Sequence, residues 1–173
     1  MENEEVIWTG SPSQILNFRH FFTFGLWLIA ITFIYTTLAQ RPGTQDMQSI
    51  LLAMYLVLSI GPFLNLLWKW LQIKCTRYEL TNQRLKTRYG VLSRKADEME
   101  LYRVKDYKFD QPFFFRMFSL ANIILESSDR SDPKIIIQAV RNAEDIRNKI
   151  RTCVEEMRSK KRVSEVDFEG DLR

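Results

Sequence analysis

The sequence predicts a hairpin of two transmembrane helices followed by an antiparallel, curled β-sheet. That sheet is a partial barrel of about six or seven strands capped by one C-terminal helix. Three observations predict this. The first seventy positions hold two long uncharged apolar runs. From Cys75 onward the apolar residues alternate with polar ones, and near the C-terminus the spacing changes to that of an amphipathic helix.

Phe21 to Ala39 (FFTFGLWLIAITFIYTTLA) and Ile50 to Trp68 (ILLAMYLVLSIGPFLNLLW) are each nineteen residues without a charge. A helix of that length is about 28 Å long, close to the hydrocarbon thickness of a bilayer. Two such runs in succession argue against buried helices of a soluble core. The first starts too late, behind the acidic residues Glu2, Glu4 and Glu5, and runs too long for a cleaved leader. Pro62 lacks an N–H, so its helix needs a neighbour to satisfy the carbonyl it frees. Asn65 is expected to hydrogen-bond to the first helix.

Residues 40–49 (QRPGTQDMQS) suffice only for a hairpin loop, and Pro42-Gly43 marks the turn. Both chain ends then lie on one side. The loop carries Arg41 alone, whereas Lys69, Lys74, Arg77, Arg84, Lys86 and Arg88 follow the second run. This bias places both ends in the cytoplasm of a multi-pass protein of the inner (plasma) membrane. Residues 1–20 read as a short cytoplasmic N-terminal segment, 21–70 as the hairpin, 75–160 as a cytoplasmic domain and 161–173 as a disordered tail.

In the domain, Thr76–Thr81 and Arg84–Tyr89 alternate around Asn82-Gln83, the pattern of a β-hairpin. Asp97–Leu101, Val104–Phe109, Asn122–Glu126 and Lys134–Gln138 are further strands, with a turn at Asp129–Pro133. Asn142 suits a helix N-cap, with Glu144 and Asp145 in the first turn. Ala143, Ile146, Ile150, Cys153, Val154 and Met157 form one apolar stripe.

The order of motifs resembles the bacterial pleckstrin-homology-domain membrane proteins. The resemblance rests on Glu5-x-Ile7-x-x-Gly10-x-Pro12-Ser13 before the hairpin and on Tyr78-x-Leu80-Thr81-Asn82-Gln83-Arg84-Leu85 and Gly90 after it. Glu100-Leu101-x-Arg103-Val104-x-Asp106, Gln111, Arg116-Met117-Phe118 and Asn142-Ala143-Glu144-x-x-Arg147 complete the series. It implies a pleckstrin-like (PH-like) fold for the domain at 75–160, with Tyr78, Thr81, Gly90, Arg103 and Asp106 as structural motif residues. The family usually has glycines near 118–123; here Ser119 and Ala121 stand instead, and a positive backbone angle would be less comfortable for them. The fold does not by itself imply a ligand, because it serves lipids, peptides and oligomer contacts alike.

The net charge of +4, with 25 basic and 21 acidic residues, suits an anionic membrane surface rather than nucleic acid in a chain already placed in a bilayer. Arg84, Lys86 and Arg88 share one face of a strand, linked to the bilayer by Lys69, Lys74 and Arg77 and extended by Arg94 and Lys95. These eight residues are candidates for contact with lipid headgroups or a partner. A topogenic signal plus a solvated strand face accounts for them equally well. Phe113 and Phe114 head an aromatic run that suits either core packing or an interface. Arg103 and Asp106, with Glu98 and Glu100, could form a polar network with Arg84.

No catalytic or metal-binding residue is singled out, and no cofactor is expected. Cys75 and Cys153 lack a CxxC spacing and read as reduced thiols, and His20 has no second histidine to work with. There is no glycine-rich phosphate loop and no GxSxG. Neither apolar run carries a charged side chain that would mark an ion path. The reading is a non-enzymatic, membrane-anchored binding module for anionic headgroups, a peptide or a membrane protein. Its alternative is a structural subunit, homo-oligomeric or within a larger complex, assembled through Gly25, Ser59, Gly61 and Asn65.

Overall fold

The structure, a computed structural model, describes residues 4–43, 45–128 and 134–161. It divides into a helical unit, Gln14–Ile73, and a β unit built from the segments on either side of it.

In the helical unit a short 3-10 turn, Gln14–Asn17, leads into α1 (Phe18–Ala39), and α2 (Gln48–Lys74) returns antiparallel to it. The pairing is read from Asn17 Nδ2 on the Lys69 carbonyl at 3.0 Å, the Phe24 and Phe63 rings at 6.3 Å, and Thr32 Oγ1 to Tyr55 Oη at 3.3 Å. Both helices are long and apolar enough to cross a membrane. Ile31 is their only buried residue, and Ile29 and Phe33 are each 69% exposed and Val57 70%. Exposed apolar surface on this scale marks a contact surface. Pro62 stays within α2. The Leu58 carbonyl, which loses its intrahelical donor there, accepts from Trp27 Nε1 at 3.3 Å. Asn65 makes no hydrogen bond to α1 among the described residues and is exposed instead.

The β unit begins before the hairpin. Strand β1 (Val6–Gly10) pairs antiparallel with β2 (Arg77–Thr81), placing Trp8 opposite Leu80 and Gly10 opposite Tyr78. The N-terminal segment, for which no strand is predicted, thus supplies an edge strand. Trp8 lays its indole over Gly10, where a side chain would collide with the ring. β2 continues to β3 (Arg84–Tyr89) and β4 (Lys95–Glu100), giving a sheet in the order β1-β2-β3-β4. A second sheet holds β5 (Val104–Asp110), β6 (Leu120–Ser127) and β7 (Lys134–Arg141) in sequence order.

The expectation of one curled sheet is thus corrected to two antiparallel sheets. The reason lies between β4 and β5. A 3-10 turn, Leu101–Arg103, buries Leu101 completely and breaks the ladder before β5 can pair with β4. Helix α4 (Ala143–Lys161) packs its stripe on the core. Ala143, Ile146, Ile150, Cys153, Val154 and Met157 are all buried there with Leu80, Leu85, Ile123, Leu125 and Ile137. The Asn142 carbonyl accepts the first helical hydrogen bond from Ile146 at 3.2 Å. The turn expected at 129–133 lies outside the described residues, as does the expected tail apart from Lys161, which closes α4.

A bulge in β7 joins the N-terminal segment to the second sheet. Ala139 takes φ 46°, its N–H donates to Asn122 Oδ1 at 2.9 Å, and its carbonyl accepts from the Ser13 N–H at 3.1 Å.

Candidate functional site

The basic residues divide into two groups. On β3, Arg84 meets Glu98 at 2.8 Å and Glu4 at 3.2 Å, and Lys86 meets Glu4 at 2.9 Å and Glu79 at 3.7 Å. The Lys86 side chain is only 15% exposed. Arg88 is further out, 3.5 Å from Glu79 and 60% exposed. The hydrogen bond from Lys86 holds the Glu4 carboxyl below its ordinary range, helped by Thr81 and the charge of Arg84 and opposed by desolvation. Hydrogen bonding to Glu98 and then the charge of Glu4, with less from the charges of Glu98 and Glu100, raises the pKa of Arg84, and desolvation opposes them. The strand that reads as uniformly basic is therefore neutralised over its first half. The acid that does most of this, Glu4, arrives from the segment ahead of the hairpin.

The second group lines a hollow of about 440 Å³ in the β unit: Lys74, Arg77, Arg88, Arg94 and Lys95, with Gly90 in its wall. Arg77 and Arg88 stand directly opposite each other across β2 and β3, and Tyr89 faces Lys95 across β3 and β4. Like charges facing each other in an antiparallel pair repel, an effect that Glu79 beside Arg88 offsets in part. Among the described residues Arg77, Arg94 and Lys95 have no carboxylate partner, and no acidic residue lines the hollow. Gly90 shapes the wall. It takes φ 110°, and an added Cβ would overlap the Ser93 carbonyl oxygen. Lys69 belongs to the helical unit.

The motif residues are structural. Tyr78 is buried, and its hydroxyl accepts from the Gln138 N–H at 3.2 Å, joining the two sheets. Burial pushes its pKa up, partly offset by that hydrogen bond. Thr81, fully buried, accepts from the Arg84 N–H at 3.0 Å and has its hydroxyl within 2.9 Å of the Arg84 carbonyl, closing the β2–β3 turn. Arg103 pairs with Glu100 at 3.0 Å and rests over the Tyr102 ring. Asp106 accepts from the Tyr107 N–H at 2.8 Å. Part of the expected polar network therefore forms: Arg84 bonds Glu98 and lies opposite Glu100, which pairs with Arg103. The aromatic run is not core: Phe113 and Phe114, in the short helix α3 (Phe113–Met117), are 75% and 61% exposed.

Cys153 is buried, and desolvation raises its thiol above the ordinary value. No group of three or more His, Cys, Asp or Glu among the described residues is arranged to hold a metal.

The family model of the bacterial PH domain matches residues 21–152. The chain belongs to the bacterial PH domain family. A solved structure similar to it is a DUF1696 family protein with a pleckstrin-homology domain from Shewanella loihica PV-4. That protein is 15% identical, with a TM-score of 0.39 over 48% of this chain and 74% of that one. No curated protein matches. PH domains are in general non-catalytic binding modules; in this one Lys74, Arg77, Arg88, Arg94 and Lys95 line a single hollow.

Proposed function

We propose that this chain is a membrane-anchored, non-catalytic recognition module of the inner membrane whose PH-like domain binds anionic lipid headgroups from the cytoplasmic side. The observation that carries this is the hollow of Lys74, Arg77, Arg88, Arg94 and Lys95, which gathers positive charge with no acid in its lining. Support comes from the two exposed apolar helices and from the excess of basic residues after the second one. A phosphate-bearing headgroup supplies the charge the hollow lacks, and each basic residue near a lipid surface contributes on the order of 1 kcal/mol. A covalently attached hairpin keeps the domain at high effective concentration over its ligand, so weak contacts suffice.

The test uses the full chain in a zwitterionic detergent, titrated with short-chain phosphatidylglycerol or phosphatidylcholine and followed by native mass spectrometry. Phosphatidylglycerol is expected to bind preferentially. The preference should disappear in Arg77→Gln/Arg94→Gln/Lys95→Gln and persist in Arg84→Gln. Equal binding of both lipids, or an unchanged preference in the triple variant, sinks the headgroup reading.

A second reading, a structural subunit assembled through its helices, is favoured by Asn65. Its carboxamide is exposed beside His20 and Thr23 along a groove of about 260 Å³ in the helical unit. An amide in lipid gains most from a partner helix. Mass measurement in mild detergent separates the two readings. A defined oligomer that dissociates in Asn65→Leu supports the subunit reading, and a monomer excludes it.

A further inference from the structure

We infer that the β unit has a second lipid contact, separate from the basic hollow: helix α3 and the β3–β4 turn form two apolar pegs that enter the boundary between headgroups and acyl chains. This rests on the membrane-anchored reading above.

The pegs are unusually exposed. Leu92, in the β3–β4 turn, is 87% exposed, and α3 contains no buried residue. Phe113, Phe114 and Met117 are 75%, 61% and 66% exposed, and the two phenyl rings stack edge to face at 6.0 Å. Such side chains are ordinarily buried, and a cluster of them with a further exposed leucine on one end of a domain marks a contact surface.

Strand register puts them at one end. Gly10 pairs with Tyr78, so Ser13 and Lys74, where the chain leaves the β unit, lie at the same end of the β1–β2 ladder. Arg77 pairs with Arg88 and Tyr89 with Lys95, which brings the turn carrying Leu92 to that end. Ser13 donates to the Ala139 carbonyl, and Ala121 pairs with Val140, which brings the start of β6 there too. Helix α3 lies between the end of β5 and that start, with Gln111 Nε2 donating to the Leu120 carbonyl at 3.0 Å. Both exits of the chain toward the apolar helices, both pegs and the basic hollow therefore share one end of the β unit.

A bilayer surface is the occupant that matches this mixture. It offers phosphates to a basic hollow and acyl chains to the phenyl rings, while Arg116 in α3 can keep its guanidinium among headgroups. A soluble protein partner would have to present acid and apolar surface in the same alternation.

The experiment places a nitroxide label at one position at a time in full-length protein lacking native thiols (Cys75→Ser, Cys153→Ala), reconstituted in phosphatidylglycerol-containing nanodiscs. The labelled variants are Phe114→Cys, Leu92→Cys, Glu156→Cys on α4 and Val57→Cys in α2. Collision with oxygen relative to a water-soluble nickel chelate reports depth. Labels at 114 and 92 are expected to show a several-fold higher ratio than the label at 156. A ratio at 114 equal to that at 156 overturns the inference, and so does protection of 114 from both quenchers, which indicates a protein contact. The label at 57 tests the underlying reading separately. If 57 sits in lipid while 114 sits in water, only the pegs are wrong; if 57 is in water, the membrane reading itself is wrong.

Discussion

The indole N–H of Trp27 donates to the carbonyl of Leu58, four residues before Pro62. This is the carbonyl that proline leaves without a donor, so a side chain of α1 replaces a backbone bond of α2. Trp27→Phe should destabilise the hairpin by about 1 kcal/mol, read as thermal unfolding in detergent. The loss should shrink in a Pro62→Ala background, where residue 62 regains an N–H. An equal loss in both backgrounds would show that the indole acts through packing alone.

Glu4 ties β1 to β3 through Lys86 and Arg84. Its carboxyl titrates below the ordinary value of 4.5 in the folded protein. A group lowered on folding contributes stability above its unfolded pKa and loses it as pH falls through the folded one. Wild type should therefore be more stable than Glu4→Gln at neutral pH. The gap should close as the pH drops below the ordinary carboxylate range. Thermal unfolding from pH 7 to pH 3 checks this, and a pH-independent gap would contradict it.

Tyr78→Phe removes the acceptor of the Gln138 N–H. The buried donor is left unpaired at a cost of about 1–3 kcal/mol. Hydrogen exchange at Gln138 should accelerate together with the loss of thermal stability.

Ser119 takes φ 52°, a conformation that suits glycine. Ser119→Gly should raise stability by about 0.5–1 kcal/mol, the relief of left-handed strain less glycine's greater entropy in the unfolded chain. Gly90 is the opposite case. Gly90→Ala should cost about 2 kcal/mol or more, because its backbone conformation is closed to a side chain and the Ser93 carbonyl occupies the space. Denaturation midpoints of the two variants should move in opposite directions.

Elements specified by near neighbours were legible in the amino-acid order. The two apolar helices, six of the seven strands among the described residues and the stripe of α4 each follow from a repeat of two or of 3.6 residues, or from unbroken apolar length. The departure at Ser119 came from the family resemblance and not from any period of the sequence, and of the two positions it named only Ser119 takes a positive φ. For the hollow, the sequence supplied the residue types and the hairpin that brings Arg77 opposite Arg88. Tertiary structure decided what no local period encodes. Val6–Gly10 became a strand only by pairing with residues beyond the hairpin, and that pairing delivered Glu4 to Lys86 and Arg84. Phe113 and Phe114 were exposed because α3 turns outward between β5 and β6, a choice that composition leaves open. Periodicity reports which face a residue occupies on its own element. Which distant carboxylate reaches a lysine, and which arginine is left without one, depends on contacts between chain segments that only the folded protein brings together.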